Sequence, residues 1–312
     1  MARPIRNLDP EKIRLMTIRT ENAQLLMKPS KGVDNVNNLI GGIVGRYQKK
    51  TNITIFAYTF TSNHYHILYK ANDGNSWLFA QNINREIAKR VNMRLNRSGH
   101  FWQRRYSEQI VLDDEDGLEA LLYIICNPVS HGLVKDLEDS PFLSSYKSSL
   151  SGKEDSFSFT NYSEYNKALR RSKNKHKQVS IKDYQEHYSI QITPLPYFDG
   201  ISISKMREIL KEKILNRVNN LVNERLSQGE GFLGKKKIYN SSPFSYPRTV
   251  KKSNRPLCYS KSSESINKHL KWFFSFIETF REASKAFRSG ILDTIFPEYT
   301  IRPPLLYLIE PT

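Results

Sequence analysis

The run from Ile53 to Ala71 constrains the fold of this chain most. It is rich in β-branched and aromatic residues, and it reads as two adjacent strands or one long bent strand. On either side the pattern changes to helical spacing: Val36, Ile40, Ile43, Val44 and Tyr47 before it, and Phe79, Ile83, Ile87, Val91 and Leu95 after it, with Ser76 as a candidate cap. Ile13 to Thr20 and residues 106–112 read as further strands. A helix is expected from about Glu115 to Cys126, where Asn127-Pro128 stops it. The order β-α-β-(β)-α-β-α predicts an α+β fold, an antiparallel sheet with helices packed on it, ending near residue 150. Residues 151–180, rich in Ser, Asn and Lys and carrying the basic run Arg170 to Lys177, are expected to form a basic linker. Helical patterns at 203–228 and 263–289 predict a mostly helical accessory region over 181–312. Between them lies a Pro, Ser and Lys-rich stretch with Lys235-Lys236-Lys237 and Lys251-Lys252.

Charge narrows the partner. The 312 residues carry a formal net charge of +17, with a pI near 9.7. Such an excess speaks of a polyanionic partner, nucleic acid first and an anionic membrane second. The longest apolar stretches, Leu118 to Cys126 and Trp272 to Ile277, fall far short of the ~20 residues a spanning helix needs, so no membrane partner is expected. No apolar region follows Met1 to Arg6, so no secretory signal is expected. Cys126 and Cys258 form neither a disulfide framework nor a zinc pattern, which fits a reducing cytoplasm.

Three features carry chemistry. Asn63-His64-Tyr65-His66 lies in a strand-like run, so His64 and His66 share one face and could grip one metal ion. The ordinary alternative is a pair of buried histidines satisfied by hydrogen bonds. Imidazole suits zinc, iron or manganese, whereas magnesium prefers oxygen, and two histidines leave positions open for phosphate or water. On the helix ending at Cys126, Leu118, Leu121, Leu122 and Ile125 form an apolar stripe. At ~100° per residue Tyr123 falls roughly opposite it, beside Glu119 and Asn127. A phenol with an ordinary pKa near ~10 attacks a phosphate only when assisted, and a metal that polarises the phosphate supplies that help. One tyrosine among 17 is a weak signal by itself, and Tyr106 beside Arg104 and Arg105 competes with it. Finally, Gly99 to Tyr106 interleaves His100, Phe101 and Trp102 with Arg104 and Arg105. Arginines bind phosphates and aromatic rings stack unpaired bases, although a turn with Phe101 and Trp102 buried has the same composition.

Taken in order, these passages resemble the REP-associated tyrosine transposases, relatives of the small single-strand insertion-sequence transposases with one catalytic tyrosine. Met1 to Arg6 looks like the family's opening. Asn63-His64-Tyr65-His66-Ile67-Leu68 looks like its histidine–hydrophobic–histidine motif, and Gly99 to Tyr106 like the lead into its next strand. Tyr123 to Val134 looks like its nucleophile helix and following turn, and Ser144-Ser145-Tyr146 like its close. The resemblance covers about residues 1–150. Arg255-Pro256-Leu257-Cys258 and the helix after it resemble C-terminal extensions of some longer members.

The resemblance implies a ferredoxin-like catalytic domain in which His64, His66 and Asn127 ligate Mg²⁺ or Mn²⁺. Tyr123 would attack the phosphate, leaving a 5′-phosphotyrosine and a free 3′-OH. The partner would be single-stranded or hairpin DNA of repetitive palindromic elements, bound by a monomer or homodimer at the nucleoid. Asn63, Lys70, His100, Trp102, Arg104 and Arg105 are the expected DNA contacts. The chain departs from the family's pattern at Thr61-Ser62, Cys126 and Ser130-His131, and it lacks the glycine-bearing turn after the first strand.

A DNA cleaving and joining enzyme is therefore the leading expectation. A domesticated DNA-binding protein without strand transfer is the second, and an RNA-binding protein using the same aromatics and charge the third. All three predict salt-sensitive binding. For a single-stranded oligonucleotide followed by fluorescence anisotropy, log K should fall with log salt by about 0.7 for each phosphate neutralised. A flat response would rule out a nucleic-acid partner.

Overall fold

The computed structural model describes residues 5–32, 35–172, 179–246 and 256–304. Met1 to Pro4, the 173–177 part of the basic run, Lys251-Lys252 and Arg255 lie outside the described residues. The first half alternates strand and helix: β1 (Ile13–Arg19), α1 (Val36–Lys50), β2 (Ile53–Phe60), β3 (His64–Ala71), α2 (Ser76–Arg94) and β4 (Ser107–Val111). The long β-like run is thus a hairpin, β2 and β3, turning at residues 61–63. The strands lie side by side in the order β2-β3-β1-β4, every pair antiparallel, which is the ferredoxin-like arrangement. A register shift between Ile55 and Ala57 bulges β2 against β3. Ser76 is the first residue of α2, and the cap position falls to Asn75 without a side-chain bond.

Strand alternation divides the core in two. Met16 and Ile18 of β1 and Tyr65, Ile67 and Tyr69 of β3 face α1 and α2, where Ile43, Phe79, Ile83 and Ile87 are buried. Leu15 and Leu68 point to the opposite face, which α3 (Asp114–Ile125) covers. There Leu118, Leu121, Leu122 and Ile125 meet the sheet as their spacing predicts. Ala120 and Ile124 are buried as well, because later elements pack on the same cluster.

After α3 come α4 (Asn127–Ser130), β5 (Leu143–Ser144), α5 (Tyr146–Ser151), β6 (Ser156–Thr160), α6 (Tyr162–Ser172) and β7 (Gln185–Ser189). Strand β5 extends the sheet beyond β2. Strands β6 and β7 form an antiparallel ribbon. The ribbon lies so close to α1 that a Cβ on Gly42 would collide with the Ser158 carbonyl. The segment expected as a linker is therefore partly packed structure. The chain continues with α7 (Ile203–Ser227), α8 (Lys235–Asn240), β8 (Cys258–Tyr259) and α9 (Ser263–Arg288), the helical region expected from the sequence. Met206, Leu210 and Ile214 of α7 join the second core, and β8 adds a parallel edge to β4. Among the described residues no helix is long and apolar enough to cross a membrane.

Ile83 is fully buried in the first core and distant in the fold from α3. Ile83→Ala should cost about 2–5 kcal/mol of unfolding free energy by urea titration. A cost under about 1 kcal/mol would mean the α2 layer is not packed as described.

Candidate active site

The site forms at one end of β3, on the face covered by α3. His64 and His66 both point there. Antiparallel pairing with β1 sets Thr17 opposite His66 and Arg19 opposite His64. The Thr17 hydroxyl is 2.7 Å from His66 Nδ1. His64 is fixed more tightly. Asn63 Nδ2 donates to the Ala23 carbonyl at 3.0 Å, which sets the amide orientation and turns Oδ1 toward His64 Nδ1 at 2.7 Å. An amide oxygen only accepts, so a neutral His64 carries its proton on Nδ1. Thr61, where the family pattern differs, also reaches this nitrogen at 2.9 Å. Nε2 is left as a bare lone pair, buried and without a hydrogen-bond partner.

Helix α3 delivers Tyr123 to the same place. Its hydroxyl is 3.5 Å from His66 Nε2, and the two rings are 5.1 Å apart, as are those of His64 and His66. The Thr59 hydroxyl donates to the Ile124 carbonyl at 2.8 Å, tying α3 to the sheet next to the tyrosine. One turn on, Asn127 is wholly buried, and neither amide atom has a hydrogen-bond partner. Its amide still lies within looser hydrogen-bonding reach of both His64 and Tyr123. The ring of His131, exposed at its outer side, stands 5.2 Å from His64. Gly132 then turns with φ of 65°, and any Cβ there would strike the Arg225 guanidinium of α7.

Electrostatics keep the imidazoles neutral. Burial, then His66, His131 and Arg19, hold His64 far below the usual histidine range. Burial, then His131 and Arg19, push His66 down to about 3. Burial raises the Tyr123 phenol, with Arg19, Asn127 and Arg217 working against it. For Glu119, one turn before Tyr123, burial acts upward, but Lys261 and Arg217 prevail and hold the carboxyl below its ordinary value.

Several site residues come from far along the chain and carried no signal in the sequence. Arg217 of α7 and Lys261 clamp Glu119 at 2.8 and 2.7 Å. The Lys261 backbone N–H donates to Asp116 Oδ1 at 3.0 Å, and the Tyr259 ring lies 6.5 Å from that of Tyr123. Thr17, Arg19 and Thr61 join through sheet pairing and the β2–β3 turn.

The expected DNA contacts are spread out. Asn63 positions His64. Lys70 sits at the far end of β3, paired with Glu11 at 2.6 Å. His100 is exposed, and its carbonyl accepts from Arg97. Trp102 is half-buried edge-on to Tyr65, with Nε1 donating to the Asn84 carbonyl at 3.0 Å. Arg104 and Arg105 are exposed, Arg105 lying over the Tyr106 ring. Tyr106 itself is buried under the Arg6 guanidinium, 3.7 Å from its ring centre.

The residues fit a bound cation with open positions. Two neutral imidazoles and an unpartnered buried amide converge, although among the described residues no three His, Cys, Asp or Glu side chains could hold a metal together. Substrate oxygens would have to complete such a site.

The resemblance seen in the sequence is matched by comparison with known proteins. The family model for IS200-like transposases matches residues 28–121, which include both histidines and stop just short of Tyr123. A REP-associated tyrosine transposase of Haemophilus influenzae is 41% identical over 51 residues, 16% of this chain and 29% of that protein. The chain thus matches under a third of that relative's length. The solved structure of a REP-associated tyrosine transposase bound to a REP hairpin aligns with 47% of this chain and 84% of its own, at 23% identity and a TM-score of 0.37.

The buried imidazoles make stability depend on pH. Unfolded histidines titrate near ~6.5, whereas folded His66 does so at about 3. Below ~6.5 the unfolded chain takes up protons that the folded chain refuses, so stability present above that pH is lost as pH falls toward 3. The urea midpoint of EDTA-treated protein should drop over this window, and His66→Gln should flatten the slope. An unchanged slope in the variant would show that His66 is not the group held neutral.

Proposed function

We propose that this chain is a metal-dependent transposase-like enzyme that cleaves and rejoins single-stranded or hairpin DNA through a phosphotyrosine bond at Tyr123. One observation carries the reading: the Tyr123 hydroxyl, the bare His64 Nε2, His66 Nε2 and the unpartnered Asn127 amide face one another in a single chain. A stable core does not need two unsatisfied buried groups beside a tyrosine; a phosphate-transfer site does.

In this reading His64, His66 and Asn127 hold a divalent ion, Mg²⁺ or Mn²⁺. When bound, it would polarise the scissile phosphate and neutralise developing charge. Asn63 and Thr17 hold the imidazoles in orientation, each through its Nδ1. Tyr123 attacks phosphorus, and the strand ends as a 5′-phosphotyrosine with a free 3′-OH. Because the ester keeps the phosphodiester energy, the reverse attack rejoins the strand without ATP. The net charge of +17 supports a DNA partner, and a hairpin of repetitive palindromic elements follows from the likeness to proteins of that name. Residues 1–150 would be the catalytic unit, with 181–312 an accessory region bracing α3.

The test is covalent trapping. Protein, Mn²⁺ or Mg²⁺ and a hairpin oligonucleotide from DNA flanking the gene, labelled at its 3′ end, are resolved on a denaturing gel. A metal-dependent adduct is expected, absent from Tyr123→Phe and reduced at least ~100-fold in His66→Ala. Tight hairpin binding without an adduct would favour a DNA-binding protein that has lost strand transfer. An adduct persisting in Tyr123→Phe would move the nucleophile elsewhere.

A further inference from the structure

We propose that Arg19 is a further catalytic residue, whose guanidinium receives a non-bridging oxygen of the phosphate that Tyr123 attacks. The inference rests on the phosphate-transfer reading above and assigns a residue that neither motif contains. Its position follows from the sheet. Arg19 ends β1 directly opposite His64, and paired residues on neighbouring antiparallel strands project to the same face. The backbone is held there on both sides: the Arg19 carbonyl accepts from Gln103 N–H at 3.0 Å, and Thr20 N–H donates to the Asn63 carbonyl at 2.8 Å.

The side chain has no such ties. Other cations near the site are neutralised, Arg217 and Lys261 by Glu119 and Arg225 by Glu230. Arg19 is exposed, and among the described residues it has neither an ion pair nor a side-chain hydrogen bond. The groups it acts on are His64, His66, Tyr123 and His131, all members of the site. A permanent cation aimed at neutral imidazoles and a phenol gains nothing from them, so the arrangement is complete only when an anion enters. A guanidinium offers paired donors that match two oxygens of a phosphate. As the bond from Tyr123 Oη to phosphorus forms and the bond from phosphorus to O3′ breaks, negative charge grows on the non-bridging oxygens. The phenol proton passes to water, the departing O3′ takes the bond's electron pair, and water returns a proton to it. A donor fixed at those oxygens stabilises the transition state more than the ground state.

Two measurements test this. In adduct formation, Arg19→Ala should lower the rate by about 100-fold or more, with part of the loss recovered by Arg19→Lys. In a Tyr123→Phe background, hairpin affinity is compared for a phosphate and a neutral methylphosphonate at the scissile position. The Arg19 chain should prefer the phosphate, and Arg19→Ala should erase the preference while changing overall affinity by only a few-fold. An Arg19→Ala chain with the normal rate, or one that keeps the preference, would overturn the proposal. A wild-type chain that forms no adduct, yet discriminates against methylphosphonate through Arg19, would overturn strand transfer and leave the phosphate contact standing.

Discussion

A slip of β3 by one residue against β1 would turn His64 and His66 into the apolar layer under α1 and α2, and bring Tyr65 and Ile67 to the face of α3. What prevents this is apolar burial on the other side of the sheet. Tyr65, Ile67 and Tyr69 are fully buried among Met16, Ile43, Phe79 and Ile83, and each such side chain contributes about 1.5–3 kcal/mol. The polar site is thus held in register by a core it does not touch. The same register delivers Thr17 to His66 and Arg19 to His64, so four positions of the candidate site depend on one strand pairing.

The second constraint is the placement of α3. Its apolar side, with Leu118, Leu121, Leu122 and Ile125, fixes its height over the sheet, and the Thr59–Ile124 hydrogen bond fixes its rotation at the tyrosine. From the outside, Met206, Leu210 and Ile214 of α7 press on the same cluster. The Arg217–Glu119 pair is partly exposed, and such pairs contribute only about 0–1 kcal/mol. Its consequence is positional: together with Lys261 it fixes the Glu119 carboxylate one turn from Tyr123. The accessory region is therefore joined to the site by apolar packing and by charge.

How far the sequence foretold this follows from the kind of pattern involved. Helices α1, α2, α7 and α9 and strands β1 to β4 have enough residues to show a period, and they stand where it predicts. Strands β5 and β8 have two residues each and no period to read. Strand β6 does alternate, Ser156-Phe157-Ser158-Phe159-Thr160, but it lies in Ser-rich surroundings that suggested a linker. The fold brings His64, His66, Tyr123 and Asn127 together because a strand's period and a helix's turn are local geometry. Arg19, Thr17 and Arg217 reach the site through strand register and helix docking, which no spacing along the chain encodes. Trp102, expected among the stacking aromatics, is instead committed to Tyr65 and Asn84.

The unsatisfied atoms show where folding and function diverge. Each buried polar group without a partner costs about 1–3 kcal/mol. Such atoms occur elsewhere in the protein too, on Arg14, Tyr106 and Ser76. At the site, His64 Nε2 and the Asn127 amide lie together, beside a guanidinium that has no ion pair among the described residues. Lone pairs, an amide and a cation have no common partner within the protein. A phosphate with its divalent ion would be one: His64 and Asn127 would hold the ion, and Arg19 would meet the phosphate oxygens. The energy withheld from folding at this spot is thus available for binding, and the cores on the two sides of the sheet make the fold able to bear it.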